Sequence, residues 1–168
     1  MVFNKNMFPR VFFTTPNIHN DANLTITIIH DVVTHWSGIL LEVLYLQLDN
    51  TSRENKNQVL FGYLNMLIEL EIFKKIKVGF LLVGHTHDHI DQMFSRFSVT
   101  LRRKGVGSLP SLIECIKKSY IPEPVFHVLE ETIDMRRFIF GSHGGRNALN
   151  NLTTLASNIN FVSKKLMG

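Results

Sequence analysis

Three aspartates and a short histidine run carry most of the chemistry this sequence offers. Asp49 closes the apolar run Val43-Leu44-Tyr45-Leu46-Gln47-Leu48, while Asp88 and Asp91 lie in Gly84-His85-Thr86-His87-Asp88-His89-Ile90-Asp91. Carboxylates are hard oxygen donors, and Mg²⁺ takes a few of them while keeping water or phosphate oxygens in its other positions. Two such ions about 4 Å apart activate a nucleophile and stabilise a leaving oxygen in phosphodiester chemistry. With Thr86 as a helix N-cap, Asp88 and Asp91 sit three apart, and His87 and Asp91 four apart, on shared helix faces. Asp49 with Asp88 or Asp91 is thus a candidate divalent-cation site, with His87 as a neighbouring candidate ligand.

Each of these residues also has a structural use. Asp49-Asn50 suits an ordinary strand-ending turn. Asp88 and Asp91 in a first helical turn are stabilised by the helix dipole with no metal present. His85, His87 and His89 splay around a helix once it starts, and third and fourth zinc ligands are not evident. Asn50, Glu54, Asn55, Lys56 and Asn57 can contact phosphates or coat a helix start, and the second use is the commoner. His143-Gly144-Gly145-Arg146 lacks the strand and helix that a phosphate loop needs. The triplets at Asn23, Asn50 and Asn151 match a glycosylation pattern that has meaning only in a secreted chain.

The elements that must position these residues follow from periodicity. Asn20 or Asp21 can cap a helix carrying Ala22, Ile26, Ile29, Val33 and Trp36 on one face, although Thr25-Ile26-Thr27-Ile28 alternates as a strand would. Residues 43–49 read as a strand buried on both faces, as in a parallel sheet covered by helices. Val59, Tyr63, Leu67 and Leu70 mark an amphipathic helix between Glu54 and Phe73. A second strand spans 77–83, and the next helix turns Ile90, Phe94, Phe97 and Leu101 inward. Pro110 starts another helix to about Tyr120, and Val125 to Phe140 holds a last strand or helix. Val11 to Thr15 is a further strand candidate. Strand, helix, strand, helix is an α/β order with parallel strands, whose carboxyl ends share one edge where such sheets place ligands. Asp49 and the 84–91 segment are thereby expected at one place.

Composition bounds the class. The 168 residues are 45% hydrophobic and 19% charged, enough to bury a core in one domain. No apolar run approaches the ~20 residues of a membrane span. A single cysteine, Cys115, rules out a disulfide scaffold and suits a reducing compartment. Met1 to Arg10 lacks the charged-then-apolar order of a secretory signal, which predicts an intracellular protein. The net charge of +4 favours a polyanionic partner.

The residues resemble a eukaryotic domain family of unknown function found in transposon-derived proteins. The likeness is carried by Tyr45-Leu46-Gln47-Leu48-Asp49-Asn50 with Ser52-Arg53-Glu54-Asn55-Lys56-Asn57. Val83-Gly84-His85-Thr86-His87 and Ile90-Asp91-Gln92-Met93-Phe94-Ser95-Arg96 complete it. It extends from about Asn20 to Gly141, with the tail after Gly141 outside it. That family looks like a transposase core with a ribonuclease-H-like fold.

The resemblance implies a partial ribonuclease-H-like α/β fold and a DDE or DDD set of acids holding Mg²⁺ or Mn²⁺. Asp49 matches the second acid, and Asp91 or Asp88 the third, with Asp91 favoured by the motif. The family more usually has Glu then Asp where this chain has Asp88 and His89. Three antiparallel strands should precede the first helix, but only Val11 to Thr15 is available, and the first strand's Asp has no counterpart. The expectation is therefore an N-terminally truncated core, inactive alone, over residues 21–140. An irregular segment, 1–20, precedes it and an Asn-rich, poorly ordered tail, 141–168, follows it.

DNA is the implied ancestral partner, contacted by Asn50, Arg53, Lys56, Arg96, Arg102 and Arg103, with Lys117 and Lys118 as further candidate backbone contacts, and the nucleus the implied location ahead of the cytoplasm. A second copy or another chain could complete the sheet. An alternative is a domesticated nucleic-acid or protein interaction module without catalysis. Gly84-His85-Thr86-His87 also resembles the metal block of calcineurin-like metallophosphoesterases, whose Asp-x-His, Gly-Asp and Asn-His partners are missing here. A metallo-β-lactamase motif needs Asp at the position of His89.

Overall fold

A computed structural model of the chain describes residues 9–35, 42–81 and 89–135. Their order is β1 (Arg10–Thr14), α1 (Ala22–Thr34), β2 (Val43–Leu48), α2 (Gln58–Glu69), β3 (Lys75–Phe80), α3 (His89–Arg103), α4 (Leu109–Lys117) and β4 (Val125–Leu129). The strands form two parallel pairs, β1 with β4 and β2 with β3. The α/β class expected from the sequence is the one observed. The chain divides into two compact units, Ile18–Leu82 with Glu131–Gly168, and Met1–Asn17 with Val83–Glu130.

The first unit is a β2-α2-β3 crossover with α1 packed on α2. Asp21 caps α1, its carboxylate accepting from the N–H groups of Asn23 at 2.9 Å and Leu24 at 3.4 Å. Ala22, Ile26, Ile29 and Val33 are all buried. Their spacing of three and four outweighs the strand-like alternation at 25–28. The threonine hydroxyls fit the helix by bonding backward, Thr27 to Asn23 O and Thr34 to His30 O, each at 2.8 Å. Trp36, expected on the same face, lies outside the described residues.

Helix α2 starts later than its pattern suggested, because Thr51 to Asn57 is spent on a tight turn before Asn57 caps Leu60 N–H at 3.0 Å. Leu60, Tyr63 and Leu67 are its most buried side chains. It also ends earlier, at Glu69, in a Schellman arrangement. Ile72 N–H donates to Leu67 O at 3.0 Å and Glu71 N–H to Ile68 O at 2.9 Å. Glu71 then takes the left-handed conformation, φ 58°, usually left to glycine. This early stop lets β3 begin at Lys75 rather than 77.

The β2–β3 pair is covered on one face, not two. Leu44, Leu46, Leu48, Ile76 and Val78 pack against the core of α1 and α2, while Tyr45, Gln47, Lys75, Lys77 and Gly79 are exposed on the other side. The continuously apolar look of β2 comes from Tyr45, an aromatic that faces solvent. Residues 131–135 return to the same unit. Ile133 N–H donates to Thr27 Oγ1 at 2.9 Å, Met135 N–H to Asn23 Oδ1 at 3.1 Å, and Met135 is fully buried.

In the second unit, Val11, Phe13 and Phe126 from the β1–β4 pair meet Met93, Phe97, Leu112 and Ile116 from α3 and α4. The strand proposed to join an antiparallel set, Val11 to Thr15, instead runs parallel to β4, Val11 opposite Phe126. Helix α3 turns Met93 and Phe97 inward. Phe94, expected on the inner face, is 51% exposed, because Met93 and Phe97 at i, i+4 already fill the space over β1. Ser108 caps α4, accepting from Ser111 N–H at 3.4 Å, with Pro110 in its first turn.

Candidate functional site

The end of β2 is the best-defined polar site. Asp49 follows the last residue of β2 and is exposed, and its Oδ1 accepts from Asn50 N–H at 2.6 Å. The turn behind it is held by Asn55, the buried polar residue of the described core at 8% exposure. Asn55 Nδ2 donates to Asp49 O and to Thr51 Oγ1, both at 3.1 Å, and Asn55 Oδ1 accepts from Thr25 Oγ1 at 3.2 Å. Thr51 O accepts from the N–H groups of Asn55 at 3.0 Å and Lys56 at 2.9 Å. One amide thus ties the Asp49 turn to α1. A buried amide satisfied on both its oxygen and its nitrogen holds position at low cost, whereas an unsatisfied one would be costly.

The same contacts sort the asparagines. Asn57 caps α2 and donates from Nδ2 to Arg53 O at 3.1 Å, and Glu54 accepts from Asn20 Nδ2 at 2.9 Å. Asn55 and Asn57 therefore build the helix start. Arg53 is exposed and Asn50 partly so. The Lys56 ammonium lies 4.7 Å above the Phe80 ring, a cation–π contact that covers the outer end of the core. Thr25 is a partner that no local pattern announces, since it lies in α1 thirty residues before Asn55.

Leu81 N–H donates to Leu48 O at 3.0 Å, so the chain leaves β3 beside the residue preceding Asp49. The expected meeting of two polar segments at one sheet edge is followed by the chain as far as Leu81. His85, Thr86, His87 and Asp88 lie outside the described residues, as does the His89 side chain. Asp91 is partly exposed in the first turn of α3, where a carboxylate offsets the positive helix end. Asp49 and Asp91 belong to different units. Among the described residues no three His, Cys, Asp or Glu side chains are grouped to hold a metal.

The candidate phosphate-binding cations differ in how committed they are. The Arg96 guanidinium lies 5.6 Å from the centroid of the Tyr120 ring. Lys117 pairs with Glu123 at 3.2 Å and Lys118 with Glu114 at 2.7 Å. The last pair holds the Glu114 carboxyl below its ordinary range and raises the Lys118 ammonium, chiefly through their hydrogen bond. Arg102 and Arg103 are exposed at the negative end of α3.

No helix of the described residues is long and apolar enough to cross a membrane. No curated protein and no solved structure matches the chain. One family model does, over residues 1–157, beyond both Asn20 and Gly141, where the likeness had been read to stop. The chain belongs to that family, a domain of unknown function (DUF7869).

Proposed function

We propose that the domain derives from a transposase-like, ribonuclease-H-like core whose ancestral work is metal-dependent cleavage or transfer of DNA strands. The supporting observation is an exposed carboxylate, Asp49, at the carboxyl end of a parallel strand, on a turn fixed to α1 by a satisfied buried amide. Open α/β sheets place their ligands at that end. In this reading Asp49 is the second acid and Asp91, or in its place Asp88, the third, with His87 a further candidate ligand. Mg²⁺ or Mn²⁺ bound there would activate a nucleophile and stabilise a leaving oxygen. The chain's own part is to hold Asp49 in place and to offer Asn50, Arg53, Arg102 and Arg103 to phosphates. A first acid has still to be supplied, for example by a second chain, so little activity is expected from this chain alone.

A second reading is an interaction module that keeps the fold and not the chemistry, acting in the nucleus on nucleic acid or protein. It is favoured by the Asn50 N–H bond to Asp49 Oδ1, which gives the carboxylate a turn-forming use.

The test is nicking of supercoiled DNA with Mn²⁺ or Mg²⁺, comparing the natural chain with Asp49→Asn and Asp91→Asn. Nicking that either substitution abolishes supports the acid assignment. Equal nicking by all three proteins rejects it, and DNA binding that neither Mn²⁺ nor either substitution alters supports the module.

A further inference from the structure

The open face of the β2–β3 pair is unused by the Asp49 site. Tyr45 and Lys77 are register partners, as are Val43 and Lys75, and Gln47 and Gly79. Residues paired across a parallel ladder point to the same side, so these six form one surface opposite the core. Tyr45 is 69% exposed, although a tyrosine on a strand ordinarily finds packing. Lys77 Nζ sits 4.9 Å from the Tyr45 ring centroid and 3.3 Å from its hydroxyl, fixing the ring upright from one side. Both charged strand residues of the face, Lys75 and Lys77, are cationic and exposed. A β-carbon at Gly79 would meet nothing nearer than Leu46 O at 4.0 Å, so the floor beside Gln47 is open to a close-lying group.

We infer that this face is a docking surface for single-stranded nucleic acid. An unpaired base stacks on the Tyr45 ring, and Lys75 and Lys77 meet the flanking phosphates. The combination of an exposed aromatic and cations on a sheet suits single strands, because every base has a π-face to stack and the backbone supplies the charge. Lys75 and Lys77 lie two residues apart on one strand, roughly 6.6 Å, a repeat suited to successive phosphates of an extended strand. A duplex offers no free base face to Tyr45. An acidic peptide would satisfy the lysines and leave the ring without a partner. This inference rests on the proposed nucleic-acid role and adds which strand state is held and where, away from Asp49.

The experiment is fluorescence anisotropy of a labelled oligo(dT) and of a duplex of equal length, in EDTA so that metal-dependent chemistry plays no part. Tighter binding of the single strand is expected. Tyr45→Ala should weaken single-strand binding about 5- to 150-fold, the range for losing one stacked base. Tyr45→Phe should bind as the natural chain does. Lys77→Gln should flatten the salt dependence by about 0.7 in the log–log slope. Gly79→Val fills the floor with a better strand former, so it should keep or raise the melting temperature while weakening binding. The inference is overturned if folded Tyr45→Ala binds as tightly as the natural chain, if duplex binds better, or if polyglutamate competes as well as oligo(dT). Nicking unchanged by Asp49→Asn and Asp91→Asn, with these binding results intact, would sink the catalytic proposal and leave this surface standing.

Discussion

Removing the Asn55 side chain is the sharpest test of how the Asp49 turn is held. Asn55→Ala deletes three hydrogen bonds, to Asp49 O, Thr51 Oγ1 and Thr25 Oγ1. Each is worth about 0.5–1.5 kcal/mol net, and the Thr25 hydroxyl and Asp49 carbonyl lose a partner in a half-buried place, giving roughly 2–4 kcal/mol in all. For a chain of this size that lowers the melting temperature by about 4–16 °C. The neighbouring Asn57→Ala removes one helix cap and should cost about 1 kcal/mol, some 2–4 °C. Thr25→Val supplies the third arm. It removes the same hydroxyl contact from the other side, so its effect should shrink by roughly 0.5–1.5 kcal/mol once Asn55 is already alanine. Thermal melts followed by circular dichroism read the natural chain, the three single variants and the Asn55→Ala/Thr25→Val double variant. An Asn55→Ala melt no lower than that of Asn57→Ala, or strict additivity with Thr25→Val, would refute the claim that this amide anchors the turn to α1.

Two other outcomes follow from the same unit. Glu71→Gly should stabilise by about 1 kcal/mol, because the left-handed φ of 58° after α2 strains a side chain and not glycine; an unchanged or lower midpoint in urea would contradict it. His30 is half-buried, and its Nδ1 lies 3.2 Å from the Tyr63 hydroxyl. Burial lowers the His30 pKa, with Asp31 opposing and His35 adding, so the folded state favours the neutral ring. A depressed folded pKa gives stability that is present above the unfolded value of about 6.5 and drains away as pH falls through the folded one. Melting temperature should thus drop between pH 7.5 and 5.5 less steeply in His30→Gln than in the natural chain, and parallel curves would dismiss the role.

Much of the fold was legible in the sequence, for reasons that can be traced. Helix α1 showed itself through Ala22, Ile26, Ile29 and Val33, and the Asp21 cap marked its start. The strand after it and the crossover to β3 were visible as apolar runs bounded by polar joints. Boundaries were not. The stop of α2 at Glu69 depends on a left-handed Glu71, and nothing in a glutamate announces that conformation. Tyr45 reads as core by type and lies on the solvent face by parity. Phe94 misleads in the same way, since Met93 is the residue in register with Phe97. The partnership of β1 and β4 was invisible, because strand pairing across long separations leaves no local trace. At the site, Asp49 stood out by position, whereas Asn55 looked like one of several surface amides. Its importance comes from Thr25, thirty residues earlier, and from the satisfied state of both its polar atoms.

The β1–β4 ladder joins Arg10 to Val125, so β1 must wait for a partner made much later. At roughly 5–20 residues per second, the ribosome takes about 6–23 s to cover those ~115 residues. Val11 and Phe13 lack α3 and α4 until those helices are made, and lack their ladder for the whole interval. The Ile18–Leu82 stretch, in contrast, holds α1, β2, α2 and β3 in one continuous run and can begin to consolidate early. The nascent chain therefore carries an apolar strand well ahead of its ladder partner, a place where holding chaperones have something to grip.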